Sequence, residues 1–183
     1  LDDAYSILPK IDDGVNYSWL TIFDQMHKGK FTGFFAWGMN PACSGAHSNK
    51  VRKALSKVDW MVNVNLFDNE TGSFWRGPGM DPTKIKTEVF MLPCASSIEK
   101  EGSIANSSRL QQWRYKAVSP VGDSLPDGDI MSEIFFKVKE LYEKKDGPHK
   151  EAITQLTWPY GKMAGKHFHY EPRKVAAEIN GYF

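Results

Sequence analysis

The stretch FTGFFAWGMNPACSGAHSNKVRKALSKVDWMVNVN, Phe31 to Asn65, decides the fold. Its opening, Thr32-Gly33-Phe34-Phe35-Ala36-Trp37, is too short for a helix and aromatic enough for a buried strand. Gly38-Met39-Asn40-Pro41 then breaks it with a turn. Beyond the turn, Ser44 or Ser48 can cap a helix of about three turns, in which Val51, Ala54, Leu55 and Val58 recur at helical spacing while Lys50, Arg52, Lys53 and Lys57 stay wet. Trp60-Met61-Val62-Asn63-Val64-Asn65 reads as a second strand. Strand, helix and strand make a βαβ unit, whose crossover is right-handed in roughly 98% of cases. Ligands of such sheets sit beyond the carboxyl ends of the strands, where helix N-termini offer free backbone N–H groups. That edge carries Gly38 to Pro41 after the first strand and Asn65 after the second.

Working outward, Trp19 to Met26 is weakly amphipathic and predicts a helix that covers one sheet face. Residues 67–86 are polar and rich in Gly and Pro, which predicts a long surface loop. Thr87 to Leu92 is a third strand, stopped by Pro93. Cys94 to Val118 shows no sustained period and reads as extended, irregular chain. The clearest helix runs from Ile130 to Lys144, with Ile134, Phe135, Val138, Leu141 and Tyr142 on one side and an acidic first turn that suits the macrodipole. Short helices around Lys150–Leu156 and Pro172–Asn180 follow. The predicted fold class is α/β: a Rossmann-like αβα sandwich with a small, mostly parallel sheet over residues 1–146, including the loop 67–86, and a helical appendage over 147–183.

A chain of 183 residues buries about 70% of its unfolded surface in one body. Its 23 basic and 22 acidic residues balance, which argues against a nucleic-acid footprint. No apolar run is long enough for a membrane span, and Leu1 to Lys10 lacks the regions of a signal peptide; the start looks cut from something longer. Cys43 and Cys94 cannot build a zinc or iron–sulfur site by themselves, and a disulfide between them is left open. His167-Phe168-His169 lacks a third ligand of matching spacing. The five histidines, His149 among them, read as ordinary surface or core groups. Glu99 and Glu101 lack the burial of an acid/base pair. Phe34, Phe35, Trp37 and Phe90 read as core.

Several ordered motifs carry a resemblance: Gly38-Met39-Asn40-Pro41, the basic helix Val51-Arg52-Lys53-Ala54-Leu55, the strand after it, Leu92-Pro93, Glu99-Lys100-Glu101-Gly102-Ser103, and Asn106-Ser107-Ser108-Arg109. Together they resemble the large molybdopterin oxidoreductases that bind bis(molybdopterin guanine dinucleotide). The insertion from Glu70-Thr71-Gly72-Ser73-Phe74-Trp75 to Thr87 is similar to the catalytic alpha subunit of the formate dehydrogenase-N type. The resemblance implies half of a cofactor-binding domain from a longer polypeptide, which elsewhere carries a [4Fe–4S] cluster and a selenocysteine or cysteine ligand to molybdenum or tungsten. It further implies an iron–sulfur beta subunit as partner, beside the rest of the alpha subunit, and a periplasmic parent enzyme. No catalytic residue and no metal ligand falls inside this chain, so the isolated fragment is expected to be inactive and without bound cofactor.

The same resemblance nominates four cofactor-binding residues. Asn40 sits where the family contacts the dinucleotide, and its amide can donate to phosphate or ribose and accept from guanine; the motif alone gives only a turn-shaping Asn-Pro. Asn65 stands where relatives commonly have Asp, keeping the hydrogen bonding and dropping the charge. Lys100 matches a lysine near the guanosine end, against its plain reading as a solvated lysine. Asp127 aligns with a cofactor contact, against its plain reading as a helix N-cap, with Asp129 competing for either role. Two rivals are a non-enzymatic interaction module that docks a partner through residues 68–86, and the same domain from an enzyme acting on nitrate or a sulfur or arsenic oxyanion.

Overall fold

The computed structural model describes residues 14, 16–148 and 150–181, so Leu1 to Lys10 and His149 lie outside the described residues. It is of the α/β class, and the chain divides into two compact units between Cys94 and Ala95. No described helix is long and apolar enough to cross a membrane.

The Gly14–Cys94 unit is built on three parallel strands in the order of the chain: β1 (Gly33–Trp37), β2 (Trp60–Asn65) and β3 (Glu88–Pro93). Pro93 closes β3 at the sheet edge, where its missing N–H costs no ladder bond. Helix α1 (Trp19–His27) precedes the sheet, and α2 (Pro41–Ser44) with α3 (Ser48–Leu55) makes the crossover from β1 to β2. The expected single helix is therefore two: Pro41 starts a one-turn helix, and α3 restarts with His47, not a serine, as its cap, Nδ1 accepting from Lys50 N–H at 3.2 Å. Thr87 Oγ1 lies 2.9 Å and 2.8 Å from the carbonyls of Leu55 and Val58 at the far end of α3. In the strands the row Phe34, Met61, Val89 faces the helices, where Phe23, Met26, Val51, Ala54, Leu55 and Phe74 complete the core.

Residues 67–86 form the long connection from β2 to β3, with two 3₁₀ turns, Phe74–Arg76 and Pro82–Lys84, and with Phe74 and Thr71 fully buried. A single aromatic anchor without periodic partners leaves no pattern to read. One expectation is corrected: not all four aromatics are core, since Phe35 and Phe90 point to the row opposite Phe34 and stay 43% and 45% exposed. Alternation along a strand sends neighbours to opposite faces.

The second unit begins with an antiparallel hairpin, β4 (Gly102–Ala105) and β5 (Gln111–Arg114), in place of the irregular chain anticipated there. Asn106 Oδ1 accepts from the N–H groups of Ser108 and Leu110 and organises its turn. Helix α4 (Asp127–Lys144) starts three residues earlier than its apolar stripe suggests, with Pro126 rather than Asp127 at the cap. After it come α5 (Lys150–Thr154), a second hairpin of β6 (Gly161–Ala164) and β7 (His167–Tyr170), and α6 (Pro172–Ile179). The hairpin turns on Gly165, whose φ of +67° suits glycine. It packs through its aromatic rings, Phe168 edge-on to Phe136 at 4.9 Å and Tyr170 stacked near Trp158 at 6.5 Å between centroids.

Helix α4 also holds β7 by its carboxylates. Glu133 Oε1 accepts from Phe168 N–H at 3.1 Å, and Asp129 Oδ1 from Tyr170 N–H at 2.8 Å. Asp129 is 5% exposed, and burial pushes its carboxyl above the usual range despite the Tyr170 N–H and His169, whose Nδ1 is 3.7 Å away; nearby Glu133 pushes the same way. A carboxylate raised in the folded state gives stability that fades as pH climbs from its unfolded value of about 3.8 through the folded value. Asp129→Asn keeps the acceptor for Tyr170 and removes that slope, so its stability relative to wild type should rise between pH 3 and 7 in urea titrations. Asp129→Ala removes the same slope and also leaves Tyr170 N–H without an acceptor, so it should be less stable than Asp129→Asn by about 1–3 kcal/mol across that range.

Candidate functional site

At the carboxyl edge of the parallel sheet the chain leaves β1 through Gly38, whose φ is +65° and whose N–H donates to Val64 C=O at 2.9 Å. That turn brings the two predicted amides to neighbouring strand tips. Asn65 Nδ2 donates to Met39 C=O at 3.2 Å, and its Oδ1 accepts from Leu66 N–H at 3.0 Å, so this side chain ties the tip of β2 to the turn after β1.

Asn40 is fixed by residues 30 positions further on. Its Oδ1 accepts from Thr71 N–H at 3.2 Å and from Thr71 Oγ1–H at 2.9 Å, while Thr71 Oγ1 accepts from Ala42 N–H at 3.0 Å. The amide is thereby oriented with its oxygen inward. Its nitrogen faces out and donates to Glu70 Oε2 at 2.5 Å. Asn69 Oδ1 supports the same loop, accepting from the N–H groups of Thr71 and Gly72 at 3.1 and 2.9 Å. The N–H of Asn40, helped by Glu70's own backbone, holds the exposed Glu70 carboxyl below the usual carboxylate range. The Asn40 oxygen is thus engaged by Thr71, and the N–H side of the amide is the one turned toward Glu70.

In the second unit, Lys100 Nζ forms an ion pair with Asp127 and donates to Ala95 C=O at 3.0 Å. Asp127 opens α4, so Lys100 is not a freely solvated lysine but a half-buried partner of the first helical turn. Both line a cleft of about 460 Å³ together with Trp113, Gly128, Tyr170 and Ala176. Gly128 has no room for a side chain, since a Cβ there would run into the Tyr170 ring. Glu101, on the same wall, accepts from Trp113 Nε1–H at 3.0 Å and Arg173 Nε–H at 2.9 Å, which lowers its carboxyl. Its role is to tie the hairpin to α6, where Arg173 also lies over the rings of Trp113 and Tyr115.

The four predicted residues thus form two pairs, Asn40 with Asn65 in one unit and Lys100 with Asp127 in the other. Among the described residues no three His, Cys, Asp or Glu side chains gather to hold a metal. His167 and His169 face Glu133 and Asp129 instead, and Cys43 and Cys94 are not joined in a disulfide. Glu70 and Thr71 escaped sequence reasoning as site residues. Their only signal was polar chain soon after a strand end.

A parallel sheet flanked by helices, with polar side chains collected at its carboxyl tips, is the layout of an α/β ligand-binding unit. Over its whole length the chain is 58% identical to a formate dehydrogenase subunit alpha of Megalodesulfovibrio gigas, of which it covers 18%. It is 38% identical over 182 residues to the formate dehydrogenase 2 subunit alpha (cytochrome c-553) of Nitratidesulfovibrio vulgaris, and 38% identical over 185 residues to the nitrate-inducible formate dehydrogenase major subunit of Escherichia coli, covering 17% of each. The chain therefore matches one segment of formate dehydrogenase alpha or major subunits and spans less than a fifth of the length of these curated relatives. No protein-family model matches it.

Proposed function

We propose that this chain is part of the catalytic subunit of a molybdenum- or tungsten-dependent formate dehydrogenase, where it helps to hold one guanosine arm of bis(molybdopterin guanine dinucleotide). The observation that carries this reading is the meeting of Asn40 and Asn65 at adjacent strand tips, through the hydrogen bond from Asn65 Nδ2 to Met39 C=O. The donor set of each unit, taken by itself, suits a nucleotide. In the Gly14–Cys94 unit Asn40 offers an outward N–H, and in the other unit the Lys100–Asp127 ion pair sets a charged group at a helix start. When bound, the cofactor would supply a metal centre able to take two electrons from formate, with carbon dioxide and a proton as the other products. Residues of this chain bind and orient its nucleotide tail, and Asn65 spaces the two strand tips.

On this reading the chain alone does not oxidise formate. The remaining parts of the parent enzyme are the rest of the alpha subunit, with its [4Fe–4S] cluster, and an iron–sulfur beta subunit in the periplasm. A few charge-assisted hydrogen bonds of about 1.5–3 kcal/mol each, less the cost of ordering ligand and loop, give weak, roughly millimolar affinity for GMP or GDP. In a titration of the ¹⁵N-labelled chain with GDP, amides of Met39–Ser44 and Asp127–Ile130 should shift, and Asn40→Ala should weaken binding about tenfold. Shifts elsewhere with those amides unmoved overturn the proposal.

A further inference from the structure

The strand-tip network leaves one donor and a pair of acceptors side by side. An amide nitrogen carries two protons, and Glu70 takes one from Asn40. Thr71 fixes which end of the amide points outward. Glu70 is exposed, and an ionised carboxylate has about four lone-pair sites, of which Asn40 uses one. Glu70 also lines a cleft of about 450 Å³, shared with Asp68, Ser73, Arg52 and Arg76. Arg52 Nε, on that cleft's wall, is buried with no hydrogen-bond partner.

The order donor, acceptor, acceptor is the complement of one base edge. Guanine presents O6 as acceptor, then N1–H and N2–H as donors; adenine presents an amino donor, then the N1 lone pair. Asn40 N–H matched to O6 leaves both Glu70 oxygens for N1–H and N2–H. Adenine in the same place sets an amino group against the amide and a lone pair against the carboxylate. Hypoxanthine keeps O6 and N1–H but lacks the N2 amino group.

We propose that Glu70, oriented beside Asn40, is the residue that selects guanine on the nucleotide arm held at these strand tips, an inference that rests on the guanosine-arm reading above. Asn65 has both ends of its amide engaged by backbone and no carboxylate to offer.

The test is a titration of the ¹⁵N-labelled 183-residue chain with GMP, IMP and AMP, read at the amides of residues 38–44 and 65–72. Wild type should bind GMP about tenfold tighter than IMP, with AMP weaker still, which is the size of one lost hydrogen bond to a charged group. Glu70→Gln keeps the shape and should bring the GMP-to-IMP ratio to within about twofold of one, while IMP affinity changes little. A thermal melt of the variant should match wild type, because Glu70 is exposed. If GMP shifts these amides and the ratio survives Glu70→Gln but collapses in Asp127→Asn, base selection belongs to Asp127 and the Glu70 assignment falls alone. If the ratio survives both variants, the Glu70 assignment falls as well. If no nucleotide moves the strand-tip amides of wild type, the assignment and the guanosine-arm reading fall together.

Discussion

Phe74→Ala is expected to destabilise the Gly14–Cys94 unit by about 3–5 kcal/mol, the usual cost of emptying a fully buried aromatic site. Phe74 has no exposed surface and sits in one cluster with Phe23, Met26, Leu55 and Met61, its ring edge-on to Trp75 at 5.8 Å between centroids. The cluster joins α1 and α3 to one face of the sheet, so little around it can collapse into the void. Since a domain's whole stability is about 5–15 kcal/mol, the variant should be marginal at 37 °C. Urea titration followed through the amides of β2 would measure the loss. Phe67, in the same connection but 78% exposed, provides the contrast, and Phe67→Ala should stay within about 0.5 kcal/mol. A loss below about 1 kcal/mol at Phe74 would mean that this connection is not part of the core. The result also bears on the rival of a docking loop. Deleting residues 68–86 cannot test partner binding cleanly, because it removes Phe74 and Thr71 from the interior.

How much was legible depended on whether a residue's role is local. Phe34, Met61 and Val89 sit in strands whose apolar runs are visible, and the parallel register follows from the helix between β1 and β2. The stripe of α4 was equally plain, and its acidic first turn with it, although Asp127 to Asp129 carry no apolar signal and the helix start was placed at Ile130. The first hairpin was legible only as extended chain. Gly102–Ala105 and Gln111–Arg114 are four residues each and largely exposed, so no alternation marks their pairing. At the site, family resemblance supplied Asn40, Asn65, Lys100 and Asp127. What each side chain bonds to was out of reach, because Asn40 is oriented by Thr71 at a separation of 31 residues and Lys100 by Asp127 at 27. Such pairings are made by topology, and no spacing rule spans them.

Thr71 is where that topology is most exposed to a single change. Its hydroxyl donates to Asn40 Oδ1 and accepts from Ala42 N–H, all in a position with no solvent access. Thr71→Val preserves shape and removes both bonds, leaving a buried N–H without an acceptor at about 1–3 kcal/mol and a lost amide contact at about 1 kcal/mol. A total near 2–4 kcal/mol is therefore expected in urea titrations. Thr71→Ser keeps the hydroxyl and gives up one methyl group, which should cost about 1 kcal/mol. Stability alone does not separate an orienting role from a packing role, so the second readout is the Asn40 side-chain NH₂ resonance. In wild type and Thr71→Ser the two protons should be distinct and slow to exchange, one of them held by Glu70. In Thr71→Val only the Thr71 N–H still fixes the amide oxygen, so the side chain should reverse and the two signals broaden. Unchanged Asn40 signals in the valine variant would show that the backbone alone orients this amide, and that Thr71 serves the core rather than the strand-tip site.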